Sequence, residues 1–288
     1  MNSKTDDPKC VDVCENDISF LTDGVKTVLQ LEKECDPEYT FSNGLCLIFN
    51  HEVFDEPDIP QRVGTNVDRD NLIVMFAKKL GFAKENVKVF QDYSRREIED
   101  CLNEYASDSC DVKFDCLVCF VLTRGNKDTL FARDRPYRND LIHTKFKTSA
   151  HFTKLRGKPK LFFYVACQGP KHDEGIEIQF DSANIPFVPE NDDFLLVLSS
   201  VPGFKNRRYH KKGTVYVRYL LKALEASIAK KLDNQINEDI QEILTTANRL
   251  VAYKYEGVDK YTKKTVKQMP IFFSTFKHDF FITRNAQT

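Results

Sequence analysis

From Gly44 onward the chain alternates short unbroken apolar runs with segments whose apolar residues recur every three or four positions. The runs are GLCLIFN (44–50), NVKVFQD (86–92), CLVCFVLT (116–123), KLFFYVA (160–166) and FLLVLSS (194–200). A strand with one wet face alternates apolar and polar residues, whereas these runs do not, so they predict strands covered on both faces. That is the signature of a largely parallel sheet with helices on either side.

The intervening segments carry helix punctuation. Thr65 followed by Asp68 reads as a capping start, Leu72, Met75, Phe76 and Leu80 as its apolar stripe, and Gly81 as its stop. Ser94 with Glu97 starts a second helix, ahead of Ile98, Leu102 and Tyr105. Val217, Leu220, Leu221, Leu224 and Ile228 mark a third, and Ile240, Ile243, Leu244, Ala247 and Val251 a fourth. These stripes predict core.

The ends and one connection depart from this rhythm. Residues 1–40 are polar and acidic without periodicity, which predicts a short mobile segment ahead of an ordered domain starting near Phe41. Residues 177–193 hold two prolines and five acidic residues and predict an exposed linker. The tail QMPIFFSTFKHDFFIT predicts one more strand after Pro270 and a further extended piece. Its phenylalanines need either the core or a partner to cover them.

Charge narrows the function classes. Lys and Arg number 42 against 43 acidic residues, a net charge of -1, which argues against nucleic acid and anionic membrane surfaces as partners. No run approaches the roughly 20 apolar residues of a membrane span, and the first residues hold no apolar signal, so a cytoplasmic protein is expected. The nine cysteines are an odd number and suit reduced thiols. Cys10 with Cys14 and Cys116 with Cys119 are the close pairs, but neither has the companions of a four-ligand zinc site. On a strand, Cys116 and Cys119 would face opposite ways. No metal and no cofactor are expected.

In open parallel sheets, ligands sit at the carboxyl ends of strands. Two such ends carry glycines that let backbone amides approach a substrate oxygen: VLTRGNKD (121–128) and VACQGP (165–170). From spacing alone, Cys167 fits either a nucleophile or a structural thiol.

VACQG differs by one residue from a known signature, Gln-Ala-Cys-[Arg/Gln/Gly]-Gly. Around it GLCLIFNHEVF, QRVGTNVDRDNL, LGF, GKPKLFF, GIE, VPGF, ILTTANRLVA and KQMP follow in order from Phe41 to Phe281. On these motifs the chain resembles the caspases, of the effector type with a short leading segment. The resemblance implies one α/β caspase-like domain with a six-stranded, mainly parallel sheet flanked by helices. Within it lie a large-subunit-like part (41–177), a short linker (178–193) and a small-subunit-like part (185–288). It further implies Cys167 as nucleophile, Gly125 with Cys167 as the oxyanion amides, and Arg62 and Arg208 as the grip on a substrate aspartate. In this family the C-terminal strand pairs with its twin across a two-fold axis. Gln268, Pro270, Ile271, Phe272, Phe273 and Phe276 occupy that place, implying a partner interface with an active caspase paralogue or a second copy.

Several positions break the pattern. Where caspases read Ser-His-Gly this chain reads Thr123-Arg124-Gly125, so Arg124 replaces the general-base histidine. None of the six histidines, His51, His143, His151, His172, His210 and His278, falls where the motif needs one. Arginine stays protonated and accepts no proton. Val165 replaces the glutamine that shares the grip on aspartate, Arg207 and Val215 replace groove tryptophans, and Asp181 is the one remnant of a processing site. The expectation is an inert caspase homologue that regulates an active caspase, with enhancement favoured over inhibition. The rivals are an inhibitory decoy and an active peptidase cleaving after aspartate with an unusual base.

Overall fold

The structure is a computed structural model; it describes residues 38–126, 128–147, 153–169, 193–259 and 262–283. All but the last residues of the leading segment, all of the 178–193 linker except Asp193, and the candidate processing residue Asp181 lie outside the described residues.

Six strands form the main sheet: β1 (Gly44–Asn50), β2 (Val87–Gln91), β3 (Cys116–Leu122), β6 (Lys160–Val165), β7 (Phe194–Leu198) and β12 (Ile271–Ser274). Their spatial order is β12-β7-β6-β3-β1-β2. Every neighbour pairs in parallel except β12, which runs antiparallel to β7. The remaining strands form two-stranded ribbons: β4 (Thr129–Phe131) with β5 (Pro136–Arg138), β8 (Arg208–Tyr209) with β9 (Gly213–Thr214), and β10 (Gly257–Val258) with β11 (Thr265–Val266).

The helices are α1 (Thr65–Val74), prolonged by a wider π turn at Met75–Lys79, α2 (Arg95–Tyr105), the single turn α3 (Leu141–Thr144), α4 (Val215–Asn234) and α5 (Ile240–Lys254). They cover both faces, which is why β1, β3, β6 and β7 are buried along their whole length. One face buries Ile48, Val118, Phe120, Leu161 and Phe163 against α1, α4 and α5. The other buries Leu47, Leu117, Phe162 and Leu196 against α2 and α3. Phe120 and Phe163 stack 4.5 Å apart across the β3–β6 register, in which they are direct partners. Each such side chain contributes about 1.5–3 kcal/mol by leaving water. The period of two also separates the cysteine pair, since Cys116 belongs to the first face and Cys119 to the second.

Ser94 and Glu97 form the expected capping box at α2. The Thr65–Asp68 pair does not: α1 starts from Gly64 in a left-handed conformation with no side-chain cap. Thr65 instead donates its hydroxyl to Asn50 Oδ1 at 2.6 Å, and Asp68 accepts the Thr214 N–H at 2.8 Å. Both groups serve long-range contacts that the local spacing does not reveal. The tail divides its aromatic surface. Phe280 and Ile282 are buried in the core, whereas Phe272, Phe273 and Phe276 are half-buried. Tyr39 closes over this end, its ring 5.2 Å from that of Phe276 and its hydroxyl 2.7 Å from Asp193 Oδ1.

Two buried histidines are expected to make the fold less stable in acid. Burial drives both His51 and His143 down to about 4. The unfolded chain takes up these protons near pH 6.5 while the folded chain refuses them until about 4. Stability present above pH 6.5 is therefore lost as pH falls between those values, on the order of 3 kcal/mol for each histidine. Urea midpoints are expected to drop over this interval, and a His143→Phe variant should show a shallower drop.

Candidate functional site

Parallel pairing of β3 with β6 opens both strands at the same edge, with Leu122 opposite Val165. The chain leaves β3 as Thr123-Arg124-Gly125 and leaves β6 as Ala166-Cys167, so segments distant in sequence meet. Thr123 donates its hydroxyl to Phe131 O at 2.5 Å, and Gly125 bridges to Leu130. At Gly125 a β-carbon would lie 3.0 Å from Cys167 O, so the two backbones approach closely enough that a side chain would press one on the other. The Cys167 thiol is partly exposed and faces Asn206 O at 3.7 Å. The cysteine turn is anchored by Gln168, whose N–H donates to Phe204 O at 2.9 Å and whose carbonyl accepts from Gly203 N at 2.8 Å.

Arg124 lies near enough to this thiol for the two to interact electrostatically. Its Nη2 donates to Pro60 O at 2.8 Å and to Gln61 O at 3.3 Å, and its Nε to Pro60 O at 3.2 Å. Burial lowers its pKa, and the charge of a Cys167 thiolate acts to raise it again. The same 60–63 loop carries one of the other two arginines, Arg62, and holds the second, Arg208. Arg62 is buried at 1% exposure and its Nη1 donates to His51 O at 2.8 Å and Thr65 Oγ1 at 2.7 Å. Arg208, on β8, donates its Nε to Val63 O at 3.1 Å. Desolvation pushes Arg62 well below the ordinary arginine value, and repulsion from Arg208 and Arg124 pushes it further. Desolvation lowers Arg208 too, with repulsion from Arg124, while Asp68 and Cys167 oppose the shift. Arg62, Arg124, Arg208, Gly125 and Cys167 thus share one site.

Neither described buried histidine is hydrogen-bonded to the thiol. The His51 ring is 2.9 Å from Tyr93 O, and His143 Nδ1 is 2.9 Å from the Tyr164 hydroxyl.

Other expected residues lie elsewhere or play different parts. Val165 is fully buried among the apolar side chains of the first face. Val165→Gln is therefore expected to cost about 1–3 kcal/mol where its amide finds no partner, read as a lowered thermal midpoint. Val215 is likewise buried at the start of α4. Arg207 turns to Asp259, with 3.6 Å between Nη2 and Oδ2. Gln268, expected at a partner interface, turns inward at 2% exposure. Its Nε2 donates to Ser199 O at 2.7 Å and Asn206 Oδ1 at 3.1 Å, while its Oε1 accepts from Arg207 N at 3.0 Å. Pro270 is buried too, whereas Ile271, Phe272, Phe273 and Phe276 remain partly exposed.

The sequence reading missed the Pro60, Gln61 and Val63 carbonyls, Asn206 and Asp68. Backbone carbonyls leave no trace in residue identity, but Gly213 marks Asp68. Its φ is +71°, and a β-carbon there would come within 2.2 Å of Asp68 Oδ1. Gly213→Ala is expected to destabilise by at least about 1–2 kcal/mol from the left-handed backbone alone, and to loosen Arg208 on the adjoining ribbon. A chemical-denaturation midpoint measures the loss.

A separate surface cavity of about 490 Å³ lies beside the β8–β9 ribbon, lined in part by Lys211, Lys212, Arg218 and Lys254. Neither Cys167 nor the three arginines near it line this cavity.

Known proteins share this chain's sequence pattern and fold. The Caspase domain family model matches residues 43–281. Caspase drICE of Drosophila melanogaster is 35% identical over 237 residues, spanning 80% of this chain and 66% of the relative. Caspase-6 of Mus musculus is 32% identical over 227 residues, 73% of this chain and 78% of the relative. The crystal structure of caspase-1 from Spodoptera frugiperda superposes with a TM-score of 0.72 at 32% identity, covering 86% of this chain and 93% of that one. The chain thus spans just under two thirds of the length of caspase drICE. Its six-stranded, mostly parallel sheet with flanking helices is the caspase fold, and this chain belongs to the caspase family.

Proposed function

We propose that this chain is a catalytically inert caspase homologue that regulates an active caspase by docking along the edge of its sheet, in the direction of enhancement. The observation that carries the reading is Arg124. A permanently charged guanidinium, tied to the Pro60 and Gln61 carbonyls, stands near Cys167 where proton transfer needs a base. Val165, where the family resemblance implies a glutamine, is an apolar side chain buried in the core and offers no polar group to a substrate aspartate.

The free flank of β12 supports the docking half. Among the described residues, β12 pairs with β7 on one side and ends the sheet on the other. Such an edge offers unpaired backbone groups to a matching strand, from a second copy or an active caspase. A partner held this way gains an intact surface for its own active arrangement, which is a population shift driven by differential binding.

Mixing the purified chain with an active caspase and following hydrolysis of an aspartyl peptide tests both parts. The reading expects no turnover from this chain alone and a higher partner rate in the mixture. A lowered partner rate favours the inhibitory decoy. Turnover by this chain alone, abolished in Cys167→Ala, means an active peptidase with an unusual base and sinks the proposal.

A further inference from the structure

Arg69, Arg95, Arg96, Arg133, Arg135 and Arg138 each pair with a carboxylate. The cations around the 490 Å³ cavity beside the β8–β9 ribbon do not. Among the described residues, Lys211, Lys212, Arg218 and Lys254 form no ion pair. They come from three elements: the turn between β8 and β9, the first turn of α4 and the last residue of α5. Arg218 stands at the positive end of a 20-residue helix, where a cation is disfavoured, and no acidic residue occupies that turn to offset it. Glu256 is the one carboxylate lining the cavity, and Lys267 Nζ holds it at 2.7 Å. Lys212 and Arg218 also line a second hollow of about 240 Å³ between α1 and α4. There Lys222 has no carboxylate partner either, Lys79 is held by Glu225 at 2.6 Å, and Asp68 is committed to the Thr214 N–H at 2.8 Å. The two hollows share a pair of cations and are short of negative charge.

We propose that these hollows bind an oligophosphate, a small anion of linked phosphate groups. The inference goes beyond the proposed function and holds whether or not the chain is inert. The unpaired charged groups that line the first cavity are all hydrogen-bond donors, so their ligand is an acceptor. A phosphate group carries about 1.5–2 negative charges and three acceptor oxygens. Lysine takes it as a point charge and arginine as a fork. A single phosphate does not reach cations spread over three elements and a second hollow, whereas linked phosphates do. An extended acidic peptide brings one charge for each side chain and turns successive side chains to opposite sides, which matches the cations less well. The cavity volume falls within the range of small-molecule sites, roughly 300–1,000 Å³. With a net charge of -1 the chain exerts no general pull on anions, so attraction here is local.

Isothermal titration of the full chain, at low ionic strength and without divalent cations, tests this with orthophosphate, inorganic tripolyphosphate, ATP and a tetraglutamate peptide. Tripolyphosphate is expected to bind about tenfold or more tighter than orthophosphate or tetraglutamate, and to weaken as salt is raised. ATP binding tighter than tripolyphosphate supports a nucleotide as the source of the phosphates, and ATP binding no tighter supports a free polyphosphate. Lys211→Gln combined with Lys212→Gln, both on an exposed turn, should weaken tripolyphosphate by about fivefold or more, as should Arg218→Gln. Lys113→Gln, which removes an exposed charge elsewhere, should leave it unchanged. Tripolyphosphate no tighter than orthophosphate overturns the proposal. So does an affinity that survives the two-lysine variant or falls equally in Lys113→Gln. Equally tight tetraglutamate means a docking surface for acidic peptides and removes the oligophosphate. Should Arg218→Gln fail to fold, the two-lysine variant decides alone.

Discussion

Incubated with a fluorogenic peptide ending in aspartate, the parent chain is expected to match its Cys167→Ala variant, and Arg124→His is expected to separate the two. In another protease family, loss of the nucleophile or the base alone costs about a millionfold in rate. A positioned general base restores about 10²–10⁴ of such a deficit. The imidazole would replace a guanidinium that already reaches the Pro60 carbonyl, so an acceptor for a ring N–H stands within this loop. Adding Val165→Gln should raise kcat/KM further, at the stability cost given above. No gain in the double variant, tested also with a bound partner, would mean that something other than the missing base is the main defect. Parent turnover that disappears with Cys167 would remove the inert reading.

The second large effect is expected at the sheet edge. Thr275 donates its N–H to Phe194 O at 2.8 Å, so the alternation of an antiparallel ladder turns the backbone groups of Phe272 and Ser274 outward. Ser274→Pro deletes an outward donor while the hydrogen bonds to β7 stay in place, and proline is tolerated on an edge strand. In a two-fold pair the loss occurs in both copies. At about 0.5–1.5 kcal/mol for each hydrogen bond, dissociation should rise by roughly 5- to 150-fold. Sedimentation of the chain alone and with an active caspase measures it, with the thermal midpoint held within about 4 °C as evidence of an intact fold. Unchanged association would show that partners do not use β12.

The sheet was legible because its strands are buried on both faces, and unbroken apolar runs such as CLVCFVLT have few other solutions. Helix α2 was equally readable, since its capping box is a local device. The start of α1 was not. Thr65 and Asp68 have the spacing of a cap, but Asn50 and Thr214 claim them from other parts of the chain, and no local rule anticipates that competition. The short β4–β5 and β8–β9 ribbons also escaped notice, being two or three residues long. At the site, residue identity pointed to Cys167, Arg124, Gly125, Arg62 and Arg208 through a family resemblance. What the sequence left out was the carbonyl scaffold of the 60–63 loop, which is main chain and therefore anonymous, and the inward turn of Gln268.

That inward turn links the sheet edge to the neighbourhood of Cys167. Gln268 lies three residues before β12 and grips Ser199, Asn206 and Arg207, while Asn206 offers its carbonyl to the Cys167 thiol. A single amide acts as a hinge pin between the two. Any partner at β12 that displaces Gln268 would therefore also disturb the carbonyl that faces the Cys167 thiol.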